Sequence, residues 1–231
     1  MITQFSDKLK IDHEFWSDHA KAVYWLKKRM NSRQSTLKLM SNGGWDVFDL
    51  KRKYSFSEPI NYQSPQTGNR WLTYIVSKNN EGFHMYIRTV LYFFTDQFMT
   101  IMIPITSSDE NDNGNYIERN GVNIYTSHMF QRMADEERLG VNMSDRINVI
   151  RNFVEFVATG WSDTRPPRDG EKHTQIILRT PASWIRGHTV DVGDRFVNIY
   201  RTFYTDRSLS YKQRQDVKSF KKFVDELNNK E

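Results

Sequence analysis

Between residues 6 and 40, Phe15, His19, Ala22, Val23 and Leu26 recur at three- and four-residue steps, with Trp16 and Trp25 beside them. That period marks one face of an α-helix and predicts an amphipathic N-terminal helix or helix pair. Ser41-Asn42-Gly43-Gly44 breaks the pattern, and residues 57–70, with Pro59, Pro65 and Gly68, read as a polar loop. Beyond them the residue types change. Three runs, 71–77, 84–94 and 98–106, are rich in Ile, Val, Tyr, Phe and Thr and are joined by short polar links at 79–82 and 95–97. This is the pattern of an antiparallel β-meander. Residues 107–115 form an acidic stretch, read as a flexible loop. Its Asp/Asn spacing invites a calcium-loop reading, but the Glu at the twelfth position and the flanking helices are missing.

A short strand is predicted at 121–125. Thr126 and Ser127 then offer an N-cap to a helix over 128–138 that buries Met129, Phe130 and Met133, and Gly140 ends it. A second helix over 144–158 carries a stripe of Ile147, Ile150, Val154 and Val157, widened by Phe153 and Phe156, and stops at Gly160 and Pro166-Pro167. Strands follow at 174–179, 184–192 and 195–204, the last two forming a hairpin about Asp191-Val192-Gly193-Asp194. A final helix is predicted over 210–228. There is no internal repeat.

The expected fold is therefore α+β: N-terminal helices, an antiparallel β-meander, two central helices, a β-hairpin region and a C-terminal helix. The breaks divide the chain into a helical segment at 1–56 and an α+β domain at 71–231, with one core on which the first segment can pack.

Composition narrows the chemistry. Hydrophobic residues make up 38% and aromatics 14%, enough to build a core. The absence of Cys removes disulfides, thiolate zinc sites and thiol nucleophiles. No apolar leader opens the sequence, and the longest apolar stretch, near 98–105, is too short to span a bilayer. A cytoplasmic protein without membrane contact is expected. The net charge is +5, and residues 195–222 hold eight Lys/Arg against two Asp, a local surplus of 8 − 2 = +6. Such a concentration suits RNA or another acidic partner.

His128 and Arg132 stand four residues apart near a helix start, where free N–H groups and the helix dipole favour an anion. The dipole disfavours the charged imidazole, which suits His128 to a general base. The plainer alternatives are a capped, half-buried His128 and an Arg132 paired with Glu136. Strand alternation places Tyr200, Thr202 and Tyr204 on one face of the last strand and Arg201 and Phe203 on the other. Basic residues interleaved with rings, Arg138, Arg201, Arg207, Lys212 and Arg214 among them, fit phosphates and stacked bases. The cations of the final helix also fit an ordinary solvated face. His13 and His19 lie six residues apart and point in different directions on a helix, so no metal site is expected there. His173, His188 and Asp191 are a conceivable acid–base set that their spacing does not require. No glycine-rich phosphate loop or nucleophile elbow occurs, and no cofactor is expected.

The succession of strand, Ser127-His128 with Arg132-Met133, Glu137-Arg138-Leu139-Gly140, a second helix and a strand bearing Tyr200-Arg201-Thr202-Phe203-Tyr204 resembles the small toxin-like ribonuclease folds of the barnase, colicin and RelE type. The resemblance covers residues 121–211. It implies that His128, Arg132, Thr202 and Tyr204 share a catalytic cleft and that any activity is that of a metal-independent endoribonuclease-like phosphodiesterase. The function expected is that of an RNA-binding or ribonuclease-like domain. The alternative is a non-catalytic phage or mobile-element assembly protein that meets a protein partner through its N-terminal or C-terminal helix.

Overall fold

The computed structural model describes residues 8–41, 45–49, 52–80, 82–94, 99–110, 116–135, 146–158, 161–166, 173–179 and 183–205. The predicted helix at 210–228 lies outside them. The N-terminal apolar stripe folds as two helices, α1 (Lys8–Arg29) and α2 (Arg33–Ser41), because Ser32 caps the second: its hydroxyl accepts from the Ser35 N–H at 3.1 Å. Among the described residues eleven strands form one sheet, and the fold is α+β.

The sheet begins with β1 (Trp45–Asp49) and β2 (Arg52–Phe56), an antiparallel hairpin in a stretch that the sequence grouped with the N-terminal helices. The predicted loop at 57–70 contains a strand too. There β3 (Ile60–Gln63) pairs with one end of β4 (Arg70–Asn80), while β2 pairs with the other end of the same edge. The alternating exposure of Ile60 to Gln63 explains why so short a segment, flanked by prolines, reads as loop.

The meander then runs through β5 (Gly82–Phe94), β6 (Met99–Glu110) and β7 (Tyr116–Tyr125), each antiparallel to the last. The predicted acidic loop is shortened from both sides. Residues 107–110 continue β6 and pair with 116–119 at the start of β7, since ladder hydrogen bonds do not require apolar side chains.

Two central helices, α3 (Ser127–Asp135) and α4 (Arg146–Ala158), follow as expected. An unpredicted strand, β8 (Trp161–Arg165), leads into β9 (Gln175–Arg179), β10 (Ser183–Val192) and β11 (Arg195–Thr205), antiparallel in turn. Gly193, at φ 64°, supplies the left-handed residue that the β10–β11 turn needs. The two halves join where β11 pairs with β7, and this pairing is parallel: Phe196 faces Gly121 and Tyr200 faces Tyr125. A parallel neighbour demands a long crossover, which α3, α4 and β8–β10 provide.

One face of the sheet lies under α3 and α4. Met129, Phe130, Met133, Ile150, Phe153 and Val154 pack there on Leu72, Tyr74, Ile101, Tyr125, Ile176, Ile185, Tyr200 and Phe203. Tyr125 stacks on Tyr200 (4.8 Å, 7°) and meets the edge of Phe153. The opposite face of the meander is covered by α1, whose Phe15 and Ala22 sit on Trp71, Leu91, Met102 and Val122. Asp18, 1% exposed, ties this helix down: its carboxyl accepts from Ser64 (2.7 Å), Asn69 (2.9 Å) and Thr67. None of the helices is long and apolar enough to cross a membrane, among the described residues.

Candidate functional site

On the face opposite α3 and α4, the β9–β10–β11 ribbon carries three cross-strand rows: Arg179, Trp184 and Tyr204; Ile177, Arg186 and Thr202; Gln175, His188 and Ile199. A cleft of about 570 Å³ opens over them, lined by His173, Gln175, Arg186, Gly187, His188, Arg201, Thr202 and Tyr204. Register places Arg165 of β8 beside Gln175 at its margin.

The cleft owes its composition to a β-bulge. Arg186 pairs with Thr202, but Gly187 pairs with Tyr200, so Arg201 is an extra residue in β11. A bulge turns two consecutive side chains to one side and shifts the alternation beyond them. The face assignment expected from strict alternation is therefore corrected. Tyr200 and Phe203 both enter the core, while Arg201, Thr202 and Tyr204 all line the cleft. Gly187 makes the bulge sterically feasible, because a Cβ on it would lie 2.1 Å from the Ile199 carbonyl oxygen.

Within the cleft, Arg186 donates from Nη2 to the Gln175 side-chain oxygen at 2.6 Å, and Gln175 is buried. Arg201 is exposed. Among the described residues neither guanidinium meets a carboxyl group within ion-pair distance, whereas Arg119 pairs with Asp191 and Arg151 with Glu58. His173 and His188 stack with ring centroids 5.4 Å apart. Burial, then the charge of Arg201 and the neighbouring His173 ring, lower the pKa of His188 and favour its neutral form. Nearby, Arg179 lies over the Trp184 ring at 5.2 Å. The arrangement can receive an anion, and it offers imidazoles for proton transfer at the same place.

No family model, curated protein or solved structure matches this chain. The site's meaning rests on its geometry.

The structure divides the four residues expected to share one cleft. Thr202 and Tyr204 line the cleft just described. His128 and Arg132 are exposed on α3, the helix that covers the other face of the sheet. The reason is the N-cap: Thr126 accepts the Met129 N–H at 3.3 Å, and both its own N–H and its hydroxyl donate to the Tyr200 carbonyl. This clip turns the chain onto the core face as β7 ends. His128 is thus neither half-buried nor a neighbour of Thr202. Arg201 lies in the cleft, whereas Arg138, Arg207, Lys212 and Arg214 lie outside the described residues.

Of the histidine set conceived from sequence, His173 and His188 do meet, but Asp191 pairs with Arg119 instead, at 2.8 Å. Sequence reasoning missed Gln175 and Arg186. Their signal was present as polar residues at alternate positions of predicted strands, where a buried face would carry apolar ones.

Proposed function

We propose that this protein binds RNA and that the cleft on β9–β11 is where it holds phosphate. The observation that carries this reading is the pair Arg186 and Arg201, two guanidiniums lining one cleft without a carboxyl partner among the described residues. Guanidinium forks match phosphate oxygens, and a half-buried cation lacking a counter-charge gains most from an anionic ligand. Thr202 and Tyr204 add hydroxyls, and the Tyr204 ring offers a surface for a base. The choice of RNA among polyanions rests on the resemblance of residues 121–211 to toxin-like ribonucleases.

The stacked histidines favour a second, ribonuclease-like reading of the same cleft. One imidazole takes the proton of a ribose 2′-hydroxyl as its oxygen attacks phosphorus. The other gives a proton to the departing 5′-oxygen, leaving a 2′,3′-cyclic phosphate.

Both readings are tested with one labelled RNA. Arg186→Ala and Arg201→Ala should each weaken binding roughly tenfold or more, the loss of a charge-assisted hydrogen bond. His128→Ala and Arg132→Ala, on the other face, should leave it unchanged. RNA affinity indifferent to both cleft arginines would refute the binding reading, and cleavage that persists in His188→Ala would refute the catalytic one.

A further inference from the structure

We infer that the cleft is a seat for a phosphomonoester, either the phosphorylated end of an RNA strand or a free nucleotide, rather than for an internal phosphodiester. This deepens the RNA-binding reading and rests on it for the first of those sources.

Charge is the first ground. An internal linkage carries one negative charge, whereas a phosphomonoester carries about 1.5 to 2 near neutral pH. Among the described residues two guanidiniums line the cleft and no carboxyl group does. One monoester balances them; one diester leaves a cation over.

Gln175 is the second ground. A half-buried guanidinium is ordinarily satisfied by a carboxyl group, which orients it and cancels its charge. Here a buried neutral amide oxygen does the orienting, at 2.6 Å. Arg186 is held in place with no carboxyl group among the described residues to cancel its charge. Glu differs from Gln by one atom and would make the site self-neutralising, so the amide distinguishes a guanidinium held for a ligand from one held for the fold.

Size is the third. A volume of about 570 Å³ lies in the range of pockets that hold one small molecule and has room for a single nucleotide.

The test uses the full chain and ten-residue RNAs of one sequence ending in 5′-phosphate, 3′-phosphate or hydroxyls only, with adenosine monophosphate and inorganic phosphate as free probes, in fluorescence-anisotropy titrations. A terminal phosphate should tighten binding about tenfold or more. Gln175→Glu should abolish that difference. Should that variant fail to fold, Arg201→Gln, at an exposed position, should reduce the same difference. Equal affinity for all three RNAs, still sensitive to Arg186→Ala, would overturn this inference and leave the RNA reading standing. Capture of adenosine monophosphate in a manner sensitive to Gln175→Glu, with no RNA bound at all, would uphold the phosphomonoester seat and overturn the RNA reading.

Discussion

His19 belongs to the buried stripe of α1. Its Nδ1 lies 2.8 Å from the Thr89 hydroxyl, and its ring packs against Trp16 and Trp71. Burial lowers its pKa from 6.5 to about 4. Between those values the unfolded chain binds a proton that the folded chain refuses, so stability falls as pH drops from 6.5 to 4 and levels off below. The loss attributable to this group is at most about 3 kcal/mol. Urea midpoints measured across that range should show the decline, and His19→Phe should flatten it; an unchanged slope would remove His19 as the cause. Gly187 is a second residue-scale lever. Its added Cβ would meet the Ile199 backbone at 2.1 Å, whereas one on Gly121 would meet the Phe196 ring at 2.5 Å. A ring can rotate and a paired backbone cannot. Gly187→Ala should therefore cost roughly 2–4 kcal/mol and weaken anion binding, and Gly121→Ala clearly less, as thermal unfolding would report.

At the scale of elements, the sequence announced what periodicity announces. The stripe of α4 is visible because its partners lie along one buried face, and the apolar runs of β5 and β6 because both faces of those strands are covered. What periodicity does not carry is pairing between distant segments. The strand at 60–63 is held by β4 and has too few residues to advertise itself. The parallel register of β7 with β11 joins segments about seventy positions apart. The cleft was half legible for the same reason. Arg201 is marked by composition and Thr202 and Tyr204 by the resemblance, but the bulge that aims them together depends on how β10 and β11 register, and His128 is misallied because the clip from Thr126 to Tyr200 is a tertiary contact.

For the whole molecule, the sheet is the unit of cooperation. Leu72, in the meander, and Ile185, in the β8–β11 half, lie far apart in the strand order yet belong to one core under α3 and α4, while their chain neighbours Trp71 and Trp184 report on the two halves from the opposite face. Single-tryptophan variants reporting on each should unfold in urea at the same midpoint; two separated transitions would show halves that fold independently. The position of β11 also sets a clock. The edge of β7 is complete when Tyr125 leaves the ribosome, but its partner Phe196 follows 196 − 125 = 71 residues later. At about 5–20 residues per second that is some 4–14 s of an uncovered edge. During that interval the cleft lacks its Arg201 side, so the site cannot form before β11 docks.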